Sequence, residues 1–245
     1  MRVSLFIPCT VDTILVNVGQ DFANIMNDLG FKLNYHSEQT CCGQPVITAG
    51  YLMEARKNAK RFINIFADDE YIVGLSGSCI DTIKNEYVKI LSDEPIWAER
   101  AQSLASRIYE FSQFMVDVAE IEDVAATYNG KVAYHDSCRN LRGLGIKEQP
   151  RRMLNAVKGI DLISLNDNTE CCGFGGAFAI KYPYLSGAIV RDKVASFIDS
   201  EADVLVVSDP GCLLNIQGYL HRAYPEKKVK HIVSFLAENR ERGKE

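Results

Sequence analysis

Short runs of β-branched and aromatic residues alternate along the chain with longer segments whose apolar positions recur every three to four residues. The short runs predict strands at residues 3–7, 31–35, 71–75, 131–134, 162–165 and 204–208. The helical periodicity predicts helices at residues 11–29, 51–66, 144–157 and 184–198. A last run at residues 229–233 predicts an edge strand. Each half of the chain therefore has the order β-α-β-α-β.

This alternation defines the expected fold class. Strands that alternate with helices predict mostly parallel sheets, with helices on both faces and right-handed crossovers. We expect two tandem Rossmann-like α/β repeats, related by a pseudo-two-fold axis. Residues 98–120 are predicted to form one helix that closes the first half, and Asn129-Gly130 marks a turn beyond it. The predicted repeats are residues 1–125 and residues 126–245.

The eight cysteines recur in the same order in both halves. Cys9 and Cys138 lie 129 residues apart, and Cys79 and Cys212 lie 133 residues apart. Between these positions each half carries a Cys-Cys-Gly triplet, at residues 41–43 and 171–173. Chance would not place eight cysteines in this register, so we infer that the chain is one unit written twice.

Every cysteine lies shortly after a predicted strand. The carboxyl ends of parallel strands share one edge of a sheet, so four thiols from three loops are expected to meet in each half. Adjacent cysteines on a regular strand would point to opposite faces. Gly43 and Gly173 supply the turn that lets both members of each pair face one centre.

Three kinds of site fit four converging thiols. An iron-sulfur cluster is held by thiolates and has several metal atoms that can each take a ligand. Structural zinc favours short Cys-x-x-Cys knuckles, and this sequence has none. The third possibility is buried or redox-active thiols without a metal. The spacing favours a cluster in at least one half, and the expected metal ligands are Cys9, Cys41, Cys42, Cys79, Cys138, Cys171, Cys172 and Cys212.

Composition narrows the possible partners and the cellular compartment. The net charge of -5, with 24% charged residues spread along the chain, gives no basic surface for nucleic acid. No apolar run approaches the roughly 18 to 20 residues that cross a bilayer. The first eight residues are too short for a signal peptide. A cytoplasmic protein that reaches a membrane only through a partner is expected.

The cysteine pattern resembles the CCG cysteine-rich domain family, which includes the cysteine-rich subunit of heterodisulfide reductase and the glycolate oxidase iron-sulfur subunit. The motifs FIPCTVD at residues 6–12, QTCCGQP at 39–45 and CCGFGGAF at 171–178 look most like those of the lactate utilization protein A family. The resemblance covers essentially the whole chain. It implies an iron-sulfur electron-transfer subunit of a multi-subunit complex that oxidises L-lactate to pyruvate.

The same resemblance implies partners and leaves alternatives. The implied partners are a ferredoxin-like iron-sulfur subunit and a third lactate-utilization subunit, and the implied substrate is a small 2-hydroxy acid. One alternative is a thiol-disulfide oxidoreductase like heterodisulfide reductase. A second alternative is a zinc-structural or assembly protein.

One departure from the family motif affects the cluster type. The fullest form of the motif ends in Cys-x-x-Cys and brings five thiols to a non-cubane [4Fe-4S] cluster. In this sequence the first of those two positions is Ser76 in one repeat and Asp209 in the other. Four thiolates per half suit a cubane [4Fe-4S] cluster or a non-cubane cluster with an oxygen ligand, in one repeat or in both.

Polar residues surround the first cysteine of the second half but not that of the first half. His135 and Arg142 flank Cys138. In the catalytic interpretation, Arg142 clasps a substrate carboxylate and His135 moves a proton near neutral pH. In the structural interpretation, His135 caps a strand end and Arg142 pairs with a surface acid. His231 has no partner pattern nearby and is expected to be a surface or core residue.

Overall fold

The structure is a computed structural model, and it describes residues 1–166 and 169–240. Within these residues the strands form two four-stranded sheets, in the orders β2-β1-β3-β4 and β6-β5-β7-β8. Neighbouring strands run parallel throughout both sheets. The strands are β1 (Arg2–Phe6), β2 (Lys32–Asn34), β3 (Ile72–Gly74), β4 (Ile108–Glu110), β5 (Thr127–His135), β6 (Lys158–Ile163), β7 (Val204–Val207) and β8 (Lys228–His231).

Helices connect the strands in both halves. The first half contains α1 (Cys9–Thr13), α2 (Val16–Asp28), α3 (Gln44–Thr48), α4 (Leu52–Ile65), α5 (Gly77–Asp81), α6 (Tyr87–Ile90), α7 (Pro95–Ala105) and α8 (Phe111–Gln113). The second half contains α9 (Glu148–Asn155), α10 (Ala177–Lys181), α11 (Pro183–Asp199), α12 (Pro210–Ala223) and α13 (Ile232–Asn239). Short π-helical turns span Thr82–Glu86, Phe114–Val118 and Arg139–Gly143. No helix in the two described stretches is long and apolar enough to cross a membrane.

Helices cover both faces of the first sheet because its strand residues alternate between two clusters of buried side chains. Val3 and Leu5 of β1 pack in the cluster that includes α2, whereas Phe6 packs in the cluster that includes α4. The α/β class with two repeated parallel sheets, expected from the alternation of elements, is confirmed.

The strand registers make the two repeats directly comparable. Phe6, at the end of β1, lies opposite Gly74 in β3. His135, at the end of β5, lies opposite Val207 in β7. The edge strand expected near the end of the chain is also present, as β8.

The single helix expected over residues 98–120 is wrong. Helix α7 ends at Ala105, and the chain then forms β4, which pairs with β3. A short helix and a π-helical turn follow. Leu104, Ile108, Phe111 and Phe114 are all buried at spacings of three or four residues, so they imitate the periodicity of one continuous helix.

Two other predicted helices differ in extent. The helix expected over residues 11–29 is divided into α1 and α2 at Ile14 and Leu15. The helix expected over residues 144–157 begins only at Glu148. Gly145 precedes it with a φ of 68°, a left-handed conformation that no helix continues through.

The two halves exchange their closing helices. Helix α13, at the end of the second repeat, packs on α2 of the first, and Ser234 Oγ donates to Asp21 Oδ2 at 2.5 Å. Helix α8 and the π-helical turn after it, at the end of the first repeat, pack on α9 of the second. This reciprocal packing is what a pseudo-two-fold relation between the repeats requires.

Candidate metal centre

The first set of cysteines lies at the carboxyl ends of β1, β2 and β3. Cys9 opens α1, Cys41 and Cys42 lie in the loop before α3, and Cys79 lies in α5. Cys9 Sγ donates to Cys41 Sγ at 3.7 Å. Cys42 is within hydrogen-bonding reach of both Cys41 and Cys79. The four thiols expected to converge in the first repeat therefore do so.

The second set repeats this arrangement at the ends of β5, β6 and β7. Cys138 precedes a π-helical turn, Cys171 and Cys172 lie in the loop before α10, and Cys212 lies in α12. Cys172 Sγ donates to Cys212 Sγ at 2.8 Å, and Ser137 Oγ donates to the same sulfur at 3.6 Å. Cys172 and Cys212 are buried, whereas Cys138 and Cys171 are partly exposed. This set therefore has a protected side and a side open to solvent.

The glycine of each triplet bends the chain so that both cysteines face the same centre. Gly43 has a φ of 79° and Gly173 a φ of 80°, values that favour glycine. Gly43 N–H donates to Cys41 Sγ at 3.4 Å, and Gly173 N–H donates to Cys171 Sγ at 3.3 Å. The turn therefore also directs a backbone dipole at a sulfur, which stabilises negative charge there.

An asparagine side chain on a neighbouring helix anchors each of these loops by a hydrogen bond to its backbone. Asn58 Nδ2 in α4 donates to the carbonyl oxygen of Cys41 at 2.8 Å. Asn215 Nδ2 in α12 donates to the carbonyl oxygen of Cys172 at 2.8 Å. Because both asparagines lie on packed helices, they tie the position of the cysteine pair to the helical layer.

One thiol in each set is the preferred thiolate. The pKa of Cys41 is lowered because the thiols of Cys42 and Cys9 and a backbone N–H donate to its sulfur. The pKa of Cys9 and of Cys42 is raised, chiefly because each donates its proton to Cys41. Cys171 has the corresponding lowered pKa, with Cys138 as its strongest donor.

Ser76 and Asp209, the residues at the two departures from the family motif, contact each other across the repeats. Ser76 Oγ donates to Asp209 Oδ2 at 3.1 Å, and Ser78 N–H donates to the same oxygen at 3.0 Å. Each residue also caps a helix, since Ser76 Oγ accepts from Cys79 N–H and Asp209 Oδ1 accepts from Gly211 N–H. The side-chain oxygens of both residues are therefore already engaged in hydrogen bonds within the protein.

A cavity of about 140 Å³ lies beside the second set of cysteines, between the two repeats. The first repeat contributes Gln44, Thr48 and Ser78 to its wall, and the second repeat contributes all four of its cysteines. The second centre is therefore built by both halves of the chain.

The structure separates the two residues predicted as catalytic. His135 is completely buried, and a ring nitrogen lies with Cys172 Sγ and Cys212 Sγ in a group whose atoms are all within 4.8 Å of one another. Burial and the charge of Lys193 lower the pKa of His135 to about 3. Arg142 lies instead in an open cleft that it shares with Cys138, and its Nη2 donates to the carbonyl oxygen of Thr169 at 2.8 Å.

Sequence reasoning did not predict the contacts and surroundings of three residues near the repeat interface. Arg139 forms an ion pair with the buried Asp81 of the other repeat, at 2.5 Å. Glu110 is completely buried at the end of β4. His231, expected as a surface or core residue, is buried at the end of β8, where its Nε2 lies 3.0 Å from the carbonyl oxygen of Leu75. A sequence signal for the last two was available: both stand at the carboxyl end of an edge strand.

The donor set fits a thiolate-bound metal group. Each half brings four sulfurs together from three loops, and backbone N–H groups already donate to one sulfur of each set. Neither ring nitrogen of the buried His135 has a hydrogen-bond partner among the described residues, and one of them lies near the sulfurs of Cys172 and Cys212. Soft thiolates with an adjacent imidazole are ligands for iron, zinc or copper rather than for magnesium or calcium.

Comparison with known proteins agrees with this arrangement. The cysteine-rich domain family, CCG, matches residues 3–84 and 132–217, one match in each half. Lactate utilization protein A of Oceanobacillus iheyensis is 43% identical over 243 residues, which cover 99% of both chains. Lactate utilization protein A of Geobacillus kaustophilus is 42% identical over 236 residues, which cover 96% of this chain and 98% of that one.

A solved structure supports the fold alone. A hypothetical protein from Helicobacter pylori superposes with a TM-score of 0.74 at 8% identity, over 99% of this chain and 49% of that chain. Because both repeats match the family and the relatives are similar over their full length, the chain belongs to the CCG cysteine-rich domain family, in the group of lactate utilization protein A.

Proposed function

We propose that this protein is an iron-sulfur electron-transfer subunit of a multi-protein system that oxidises L-lactate to pyruvate in the cytoplasm. The observation that carries the proposal is the pair of equivalent four-thiol sets in a chain 43% identical to a lactate utilization protein A. The oxidation of L-lactate to pyruvate releases two electrons and two protons. A subunit with two thiolate sites is suited to pass these electrons on one at a time.

The ligands in this proposal are the eight cysteines, four for each repeat. An iron-sulfur cluster bound there supplies one-electron exchange. The chain's own groups hold the ligands in place: Gly43 and Gly173 direct N–H groups at sulfur, and Asn58 and Asn215 fix the loops. Ser76 and Asp209 are engaged with each other and with helix N-termini, which favours ligation by four thiolates over ligation by oxygen.

The choice of iron-sulfur over zinc rests on how the ligands are supplied. In each half the sulfurs come from three separate loops and include an adjacent pair, whereas structural zinc sites use short knuckles. The backbone N–H groups that donate to sulfur also fit an iron-sulfur cluster, because hydrogen bonds to the sulfurs of a cluster set its reduction potential.

A small 2-hydroxy acid would enter through the cleft that contains Cys138, Arg139 and Arg142. The planar guanidinium of Arg142 is suited to a carboxylate because it can donate two parallel hydrogen bonds. A ferredoxin-like iron-sulfur subunit and a third subunit would accept the electrons, and any contact with a membrane would pass through them.

The metal content of the protein tests the proposal. We would measure iron, acid-labile sulfide and zinc per chain after purification without oxygen, for the natural protein and for Cys41→Ser and Cys171→Ser. We expect iron and sulfide in similar amounts, lowered by each variant separately, because each removes one ligand from one set. Ser92→Ala, an exposed site away from the cysteines, serves as the control and should keep full content.

A second measurement tests the substrate. With its partner subunits present, the visible absorbance of the loaded protein should bleach on addition of L-lactate, and less on addition of D-lactate or glycolate. Zinc in place of iron, or no metal at all, would contradict the iron-sulfur assignment. Iron without any response to L-lactate would contradict the substrate assignment alone.

A further inference from the structure

His135 is a buried imidazole whose hydrogen-bonding groups are not used. Its side chain has no exposed area, and neither Nδ1 nor Nε2 has a hydrogen-bond partner within the described part of the chain. A buried polar group that is left unpaired destabilises the folded protein. A side chain kept in this position at such a cost points to a partner that the protein alone does not provide.

The surroundings of His135 indicate what that partner is. A ring nitrogen lies with Cys172 Sγ and Cys212 Sγ in a group whose atoms are all within 4.8 Å of one another. Cys171 is close enough to act electrostatically on the imidazole. A neutral imidazole nitrogen next to thiolates is a metal ligand that suits iron.

The first repeat lacks this group. The strand registers place Phe6 where the second repeat has His135, and Gly74 where it has Val207. The two differences are linked by size. A Cβ atom on Gly74 would lie 2.9 Å from the Phe6 ring, so the larger ring requires glycine at the position opposite it. Phe6 packs edge-on against Phe62, with ring centroids 5.0 Å apart. Phe6 therefore packs in the core of the first repeat, whereas the ring nitrogens of the equivalent His135 are available to a ligand in the second.

We propose that His135 is a nitrogen ligand of the metal group in the second repeat, which makes the two centres of the chain chemically different. The first centre has four sulfur ligands, and the second has four sulfurs and one nitrogen, so the group bound there takes five protein ligands. Histidine ligation raises the reduction potential of an iron-sulfur centre relative to thiolate ligation. The second centre is therefore the better electron acceptor of the two. The inference rests on the proposed iron-sulfur function.

Nitrogen coupling in the natural protein tests the ligand directly. Protein labelled with ¹⁵N-histidine, purified without oxygen and reduced, would be studied by pulsed electron paramagnetic resonance. We expect a strong coupling that changes with the label, of the size of a directly bound nitrogen. The other described histidines have places elsewhere: His36 and His231 are hydrogen-bonded, and His221 is exposed.

Two variants assign the coupling to His135. His135→Leu removes the nitrogens at similar volume, and the double variant His135→Phe with Val207→Gly transplants the pair found in the first repeat. Both should lose the strong coupling and lower the potential of one centre, while the potential of the other centre stays unchanged. Phe6→Leu, the matched change in the first repeat, should leave the coupling intact.

The outcomes separate this inference from the proposed function. Iron and sulfide in normal amounts without histidine coupling, or a coupling that persists in His135→Leu, would overturn the role of His135 and leave the proposed function standing. The absence of iron would overturn both. If His135→Leu fails to fold, the labelled natural protein and the double variant still decide.

Discussion

Glu110 and His231 are buried titratable residues at equivalent places, the carboxyl ends of the edge strands β4 and β8. Each caps the helix that follows: Glu110 Oε2 accepts from Ser112 N–H at 2.8 Å, and His231 Nδ1 accepts from Val233 N–H at 3.3 Å. Burial raises the pKa of Glu110 to about 7 and lowers the pKa of His231 to about 4. The two shifts have opposite consequences for the pH dependence of stability.

Replacing Glu110 with glutamine should reveal its share of that dependence. From its ordinary pKa of 4.5 up to about 7, the folded protein binds more protons at Glu110 than the unfolded chain, so this residue lowers stability as pH rises. The shift corresponds to about 3 kcal/mol. The free energy of unfolding of Glu110→Gln, relative to the natural protein, should therefore rise by about 3 kcal/mol between pH 4.5 and pH 7 in urea titrations.

His231→Asn provides the opposite control. Between about pH 4 and pH 6.5 the unfolded chain binds more protons at His231 than the folded protein, so this residue adds stability as pH rises. The free energy of unfolding of His231→Asn, relative to the natural protein, should therefore fall as the pH rises through this range. If this free-energy difference changed in the same direction with pH for both variants, or did not change for Glu110→Gln, the opposite pKa shifts of Glu110 and His231 would be contradicted.

Residue-level chemistry was predictable where one short segment determines it. The convergence of the eight cysteines and the turns at the two triplet glycines could be predicted from the sequence spacing, because each cysteine lies in the loop or first helical turn that follows a strand. The burial of Glu110 and His231 was not predicted, because the strand β4 was missed and the contact of His231 with Leu75 joins residues 156 positions apart. The contact between Ser76 and Asp209 has the same origin.

At the scale of the element, the turn at Gly43 couples backbone conformation to the first cysteine set. Gly43 has a φ of 79°, and a Cβ atom there would lie 2.8 Å from Asn58 Nδ2. Gly30 has a similar φ of 83° with nothing within 4 Å of its Cβ position. Alanine substitutions at Gly43 and Gly30 therefore share the cost of a left-handed backbone, and only the substitution at Gly43 adds the cost of displacing Asn58.

Gly43→Ala should therefore do more harm than Gly30→Ala. Both changes cost about 1–2 kcal/mol for a left-handed alanine. Gly43→Ala should also push Asn58 away from the carbonyl oxygen of Cys41 and lower the iron content of the first set. Urea unfolding and iron analysis of both variants would check this. Equal iron content in the two variants would show that Asn58 does not hold the loop.

The strand β4 shows why element boundaries were only partly predictable. It has three residues, and the buried residues before and after it keep helical spacing, so periodicity alone cannot detect it. Its counterpart β8 was predicted from a β-branched run. The duplication of the chain carried the missing signal, because a strand at the end of the second repeat implies one at the end of the first.

At the scale of the whole molecule, the exchange of closing helices ties the two repeats into one unit. The cluster of buried side chains around α2 contains Phe22 and Ile25 from the first repeat and Phe235 and Leu236 from α13. The bridge between Ala126 and Arg240 adds a backbone contact near the predicted boundary at residue 125. The boundary along the chain is therefore not expected to be a boundary for unfolding.

Phe235→Ala should destabilise both repeats together. Phe235 is 1% exposed, and removing a buried phenylalanine ring costs about 3–5 kcal/mol. Trp97, the single tryptophan, lies in α7 of the first repeat and reports on that repeat by fluorescence. Circular dichroism reports on the helices of both repeats. In urea, the variant should shift the two transitions to the same lower midpoint.

Glu238→Gln, on the exposed side of the same helix, is the control and should leave both midpoints near those of the natural protein. If the midpoint from Trp97 stayed in place while the circular dichroism transition split, the first repeat would be stable by itself. Because α13 covers α2, a shared midpoint is the outcome that the packing requires. Loss of the bound ligand from either centre should then lower the free energy of unfolding of the whole chain.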